Sequence, residues 1–190
     1  FALLIVLFSY LIGSISFAVV ASRLFKLPDP RTFGSKNPGA TNVLRTGKKA
    51  AAAVTLLGDA AKGWLAVFLA LHFAPVYGLD AGHDAGLNDG TIAACVLAVF
   101  LGHIYPVFFG FHGGKGVATA LGILLALNLW LGLALLATWL AATLIWRISS
   151  LSALIAAVCA PLYAWFLLPS KVLIAGVLVL SVLLLWRHQS

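Results

Sequence analysis

Uninterrupted apolar stretches fill most of this chain, at 1–22, 63–77, 91–111, 117–127, 129–146, 151–168 and 172–186, and they leave few folds open to it. The hydrocarbon core of a bilayer takes roughly 20 apolar residues per helix. A water-soluble domain of 190 residues cannot bury a sequence that is 63% hydrophobic and 9% charged, with mean hydropathy +1.09. Lipid is therefore the solvent. The chain reads as an all-α polytopic membrane bundle of about seven transmembrane helices, a single integral membrane domain over 1–190 with almost no extramembrane part. Any active site must be assembled from short loops and helix ends. The second helix is expected to start near Ala50, because 50–57 is apolar and helix-favouring; this places Asp59 and Lys62 inside it. The fourth, at about 12 to 14 residues, rises only roughly 20 Å and is expected to be tilted or partly spanning.

Orientation follows from the basic residues. Arg23, Lys26, Arg31, Lys36, Arg45, Lys48, Lys49, Lys115, Arg147 and Arg187 fall on one side if the helices alternate, against Lys171 on the other. The amino terminus is then outside and the carboxyl terminus cytoplasmic. The opening run has no charge before Arg23, whereas a signal peptide opens on a basic region, so it reads as a retained first span, slightly short at its start. The net charge of +7 comes from short loops, without a long Lys/Arg tract. Anionic lipid headgroups and phosphorylated substrates are the expected partners, and nucleic acid is not. Cys95 and Cys159 lie in apolar stretches without metal-site spacing and read as buried free thiols. No internal repeat is evident. The segment 77–90 reads as a flexible connector; its acids and His83 make a metal site only as the lesser reading, and neither a metal nor a cofactor is expected.

The largest polar segment, 29–49, lies on the inner side by the charge argument. Asn37 before Pro38 fits an N-cap and first helical position, and Gly47 fits a stop, giving a short helix of about two turns. Its open amides, with Ser35 and Lys36 beside them, would cradle an anion. Thr41 and Arg45 share one face. An ordinary positive-inside loop with capping is the plain alternative. A second cluster runs through Gly102-His103 to Phe111-His-Gly-Gly-Lys-Gly-Val-Ala-Thr119. Its Gly-Gly-Lys-Gly order lacks the leading Gly and following Ser/Thr of a P-loop, so it is read as a phosphate cradle and not as an ATP site, against a tight turn between packed helices. Asp59 and Lys62, three apart on an apolar helix, are expected to pair in the bundle interior. His103 is a candidate base or a structural hydrogen-bonded residue. Ser149 and Ser150, after Arg147, are expected to cap the sixth helix or bind phosphate. His72 reads as structural.

At these residues the sequence resembles the bacterial membrane glycerol-3-phosphate acyltransferases that use acyl phosphate as donor. The resemblance covers nearly the whole chain: Gly13-Ser14-Ile15, the cassette Gly34-Ser-Lys-Asn-Pro-Gly-Ala-Thr-Asn-Val-Leu-Arg45, Gly58-Asp-Ala-Ala-Lys-Gly63, Gly102-His103, Gly113-Gly-Lys-Gly-Val-Ala-Thr119 and Arg147-Ile-Ser-Ser-Leu151. Of the family's third inner motif, a His followed by Asn-Ile and a later Gly-Thr-Glu, the sequence shows His188 before it stops at Ser190. The resemblance implies acyl transfer to the 1-hydroxyl of sn-glycerol 3-phosphate at the cytoplasmic face of the bacterial inner membrane, giving lysophosphatidic acid and inorganic phosphate. It implies roles for Ser35 and Arg45, and acceptor binding by Gly113, Gly114, Lys115 and Gly116. Ser35, Arg45 and His103 are the catalytic candidates. Asn37, Gly39, Thr41, Asn42, Ser149, Ser150 and His188 join the expected substrate contacts.

No His is followed five positions later by Asp, so the His-x4-Asp pair of other glycerolipid acyltransferases is missing. An acyl phosphate is already an activated mixed anhydride, and direct attack by the glycerol hydroxyl is expected, with Ser35, Arg45, Lys115 and helix N-termini stabilising charge. The proton would go to His103, to His188 or to a substrate phosphate; Ser35 as a covalent nucleophile is the rival. Membrane lipids are further expected partners, and the oligomeric state is left open, a monomer included. A phosphate or organic-anion carrier is the competing class, but a carrier places its binding groups near the midplane, whereas most polar residues here gather at one face.

Overall fold

The computed structural model describes residues 2–73 and 85–189. The chain runs through α1 (Ala2–Gly13), α2 (Phe17–Leu24), α3 (Ala40–Leu44), α4 (Lys49–Phe73), α5 (Ala85–Ile104), a 3-10 turn (Val107–Phe109), α6 (Val117–Leu127), α7 (Leu129–Trp146), α8 (Ser149–Leu167) and α9 (Lys171–Arg187). Helix is the regular structure throughout the described residues. The apolar runs become helices, but the expected count of seven spans is not carried by their lengths. Four helical stretches are long and apolar enough to cross: α4, α5 with the 3-10 turn, α7 and α8. The pair α1 and α2, bent by 42°, makes a fifth if it counts as one span. The 11 residues of α6 rise about 16 Å, roughly half a hydrocarbon core, and α9 has 17 residues.

Small residues determine how closely these helices pack. Gly13 on α1 lies against the Val99 backbone of α5, and Gly102 of α5 lies against Tyr10 and Ser14. Gly63 and Gly122 make the same kind of approach between α4 and α6, where a Cβ on either would meet the other helix's main chain. Such small-residue seams let membrane helices approach backbone to backbone. Between them, Val96, Val99 and Phe100 of α5 join Ile12, Val67, Ile123, Leu131 and Leu180 in one buried core.

Several expected boundaries move. The first span is not one helix: after Gly13 the chain opens, with Ser16 extended at the start of α2. The hydroxyl of Ser14 donates to the Tyr10 carbonyl at 2.9 Å, serving the backbone it interrupts. Residues 85–90, expected in the connector, form the first turns of α5. Asp80, His83 and Asp84 of the lesser metal reading lie outside the described residues, and among the described residues no group of three metal-binding side chains occurs. The short helix in the polar segment is a five-residue turn capped by the extended backbone of Gly39. Asn37 and Pro38 precede it, and Gly47 takes a left-handed conformation beyond its end (φ +79°). Ile148 occupies the N-cap of α8, with no side-chain capping bond, so neither Ser149 nor Ser150 caps it. Asn128 does cap α7, accepting from the Leu131 amide at 3.1 Å, and its amide group donates to the Leu167 carbonyl at 3.3 Å.

Candidate active site

A cavity of about 380 Å³ opens where the polar segment, the loop between α5 and α6, and the end of α9 meet; Ser35, Lys36, Asn37, Gly113, Lys115 and Arg187 line it. Among the described residues its wall carries three cations, a serine hydroxyl and a carboxamide, and no acid. Such a surface favours a multiply charged anion.

The first wall is held by side chains. Asn42, 2% exposed, donates from Nδ2 to the carbonyls of Pro30 (2.7 Å) and Phe33 (3.1 Å), and its Oδ1 accepts from the Ser35 amide (3.1 Å). One carboxamide thus gathers residues 30–35 around itself, and Asn42, expected as a substrate contact, is engaged with the loop and does not line the cavity. Arg31 grips Asp29, with Nη2 donating to Oδ2 at 2.7 Å. It also donates to the Phe109 carbonyl at 3.2 Å and lies over that ring. The guanidinium holds the Asp29 carboxyl below its ordinary value. Lys36 has φ +57°, a left-handed conformation that costs a side-chain-bearing residue about 1–2 kcal/mol, and it does so on the pocket wall.

The second wall is held by backbone. The Gly113 amide donates to the Ile104 carbonyl (3.1 Å) and the Gly114 amide to the His103 carbonyl (3.2 Å). Both satisfy carbonyls left open at the end of α5. Gly113 and Gly114 therefore do not offer their amides to a phosphate as expected. The first turn of α6, whose opening amides have no partner within the helix, follows directly after Lys115. Gly116 lies off the wall; its left-handed backbone (φ +84°) presses on the Phe100 ring, where a Cβ has no room.

Arg187 is the wall residue that sequence reasoning missed, having counted it toward orientation alone. Its Nη2 donates to the Gly113 carbonyl at 3.3 Å. The available signal was a cation in the last turn of an apolar helix ending on the same side as both cradles. His188 follows it as the C-cap of α9, with Nδ1 2.9 Å from the Leu184 carbonyl. Burial pushes its pKa down, and the charges of Lys115 and Arg187 add to that.

The other expected site residues do not reach the wall. Arg45 is exposed, with its Cδ 3.1 Å from where a Cβ on Gly34 would stand. Thr41 is exposed and Gly39 sits behind Asn37. Ser149 and Ser150 lie at the start of α8, outside the cavity lining. His103 is buried beneath the loop, its Nδ1 3.1 Å from Thr119 Oγ1 and 3.6 Å from Asp59 Oδ1, with Nε2 under Gly114. Asp59 and Lys62 form the expected ion pair at 2.8 Å. His72 stacks on Phe68, with ring centroids 5.9 Å apart.

The family model described as glycerol-3-phosphate acyltransferase matches residues 3–190. Proteins called glycerol-3-phosphate acyltransferase from Nitrosomonas eutropha and Thiobacillus denitrificans are 62% and 60% identical, over 98% and 99% of this chain and 90% of each relative. Crystal structures of PlsY (YgiH), an integral membrane glycerol 3-phosphate acyltransferase, superpose in its glycerol 3-phosphate form with TM-score 0.86 at 35% identity. That match covers 99% of this chain and 88% of the other. The lysophosphatidic acid form gives 0.84 at 34% identity over the same shares. A helical membrane bundle, a cation-lined pocket between two glycine-rich loops and a match along nearly its whole length converge: this chain belongs to the glycerol-3-phosphate acyltransferase family and is an acyltransferase.

Proposed function

We propose that the chain transfers a fatty acyl group from acyl phosphate to the 1-hydroxyl of sn-glycerol 3-phosphate, giving lysophosphatidic acid and inorganic phosphate. The observation that carries this reading is the cationic wall where Ser35, Lys36, Lys115 and Arg187 converge. The hydroxyl attacks the acyl carbonyl, the new ester C–O bond forms, and the bond from the carbonyl carbon to the phosphate oxygen breaks. The cationic wall stabilises charge on both phosphates and holds them in reach of each other.

The placement of the two histidines bears on where the proton goes. His103 lies under Gly114 and off the wall, which leaves a substrate phosphate or Nε2 of His188, whose Nδ1 is at its own helix carbonyl. In this reading the hydroxyl attacks directly and its proton passes to a substrate phosphate. Ser35 acts by hydrogen bonding; a trapped acyl-Ser35 would overturn this. Arg45 joins from the rim beside Gly34 when both phosphates are present.

The site faces the cytoplasm of a bacterial inner membrane, with the amino terminus outside and the carboxyl terminus inside. The asymmetry of Lys and Arg about the helices supports this. In the same reading α6 and α9 complete the set of seven, α6 spanning only part of the core. Membrane lipids surround the bundle, and nucleic acid is no partner.

The test follows phosphate release from palmitoyl phosphate by purified protein, with and without glycerol 3-phosphate, and with acyl-CoA as an alternative donor. Release that requires glycerol 3-phosphate, with acylated product and no acyl-CoA turnover, is expected. Turnover of acyl-CoA would replace the donor; no product from either donor would move the pocket to anion transport, read next by a flux assay.

A further inference from the structure

The chain opens between α1 and α2 inside the apolar region, and a broken helix leaves carbonyls without their amide partners. The carbonyl of Ile15, at that break, accepts a hydrogen bond from Lys62 Nζ of α4 at 2.6 Å. The same ammonium is 2.8 Å from Asp59 Oδ1. Asp59 lies 3.6 Å from His103 Nδ1 on α5, and that nitrogen is 3.1 Å from Thr119 Oγ1 in the first turn of α6. All four side chains are buried, from 0% exposed at Thr119 to 7% at His103, and the proposed chemistry uses none of them.

This polar chain runs behind the pocket and joins the roots of both its walls. At one end α2 leads into the segment that carries Ser35, Lys36 and Asn37. At the other, α6 starts from the loop that carries Gly113 and Lys115. The walls touch above it: the Pro38 carbonyl oxygen is 3.0 Å from where a Cβ on Gly114 would stand, with His103 Nε2 pressed against the same point. Apolar helix seams tolerate sliding, because one methyl contact replaces another. A buried ion pair does not, since a displaced charge is left unpaired in a medium that cannot solvate it.

We propose that Asp59, Lys62, His103 and Thr119 are positioning residues, a brace that fixes the gap between the two walls and through it the affinity for the phosphorylated acceptor. The idea rests on the pocket being the acceptor site, so its test has one readout that needs no turnover. Asp59→Asn/Lys62→Met removes both charges together, strands neither, and takes away the donor to Ile15. The expected result is a rise of about tenfold or more in KM for glycerol 3-phosphate, with kcat within about threefold and the pH profile unchanged. Spin labels at Lys48 and His112, both exposed, placed in a cysteine-free background, should report a shifted or broadened distance between the walls. Lys62→Arg, which keeps charge and donor, should restore most of the affinity. His103→Gln leaves the ion pair intact and breaks the link to α6; it is expected to raise KM in the same way and stands in if the double variant does not fold. A loss in kcat of about 100-fold at unchanged KM would make His103 a proton acceptor instead and overturn the brace. Lowered thermal stability with unchanged KM and label distance would overturn it too. A shifted distance in a protein that acylates nothing would keep the brace and remove the acyltransferase reading of the pocket.

Discussion

The two loops that face each other across the pocket are rich in glycine and carry a lysine, yet they are held by opposite means. In the first, one buried carboxamide, Asn42, binds the Pro30 and Phe33 carbonyls and the Ser35 amide. In the second, the amides of Gly113 and Gly114 bind the Ile104 and His103 carbonyls directly. The first loop, 25–39, turns about itself and needs a side chain to collect it. The second, 105–116, folds back onto the open carbonyls at the end of α5, so backbone suffices where no Cβ intervenes. In both, groups that look like phosphate ligands in the sequence are used in building the wall, and the pocket is lined by the neighbours they present: Ser35, Lys36 and Asn37 on one side, Lys115 and Arg187 on the other.

The contrast breaks most sharply at Gly113. A Cβ there would overlap the backbone oxygens of both His103 and Ile104, and backbone cannot swing aside as a side-chain tip can. Gly113→Ala is expected to lower kcat/KM by about 100-fold or more, by moving Lys115 off its position. Activity within about threefold of the parent would mean that the second loop is not held by backbone contact. Asn42→Ala should come next. It strands groups worth about 1–3 kcal/mol in stability, and a loss of about 30-fold in kcat/KM is expected as Ser35 loses its support. A thermal melt and initial rates on one preparation separate the two effects.

A smaller effect is expected at Arg45, which sharpens the comparison because it belongs to the first loop but stands off the wall. Its guanidinium is free to swing over Gly34 toward a bound phosphate, and charge-assisted contacts to phosphate are strong. Arg45→Ala is expected to lower kcat/KM by above about tenfold, and wild-type-like kinetics would remove Arg45 from the site. The Asp29 to Arg31 lock beneath the same loop gives a pH handle. The folded pKa of Asp29 is depressed, so the contribution of this lock to stability is fully present above the ordinary value of 3.8 and is lost as pH falls below it.

Much of the fold was legible because apolar runs in a membrane protein are long and leave helix as the economical reading. The start of α4 near residue 50 and the pairing of Asp59 with Lys62 followed from local chemistry and a low-dielectric surround. The break at Gly13 to Ser16 was not legible, since 1–22 is apolar on both sides of it and the donor that satisfies Ile15 comes from Lys62 on another helix. The short helix was misplaced for a related reason. Asn37 and Pro38 have the right types for a helix start, but the Ser35 amide bound to Asn42, the left-handed Lys36 and the turn from Gly39 to the Asn37 carbonyl keep the chain out of helix until Ala40. Arg187 was hidden by distance, being far from either loop in sequence and brought to Gly113 by the packing of α9 on α5.

The smallest expected effect lies at the start of α8, where sequence reasoning placed a third source of phosphate ligands. Ser149 and Ser150 make no capping bond there, because Ile148 holds the N-cap with an extended backbone and the chain enters from the left-handed Arg147. A hydroxyl that neither caps nor lines the cavity has little free energy to lose. Ser150→Ala is therefore expected to change kcat/KM by less than about twofold and stability by under about 0.5 kcal/mol. A loss above about tenfold would show that α8 moves toward the walls when substrate binds. The pocket would then be closed by three helix starts, and the contrast between its two walls would describe only the state without substrate.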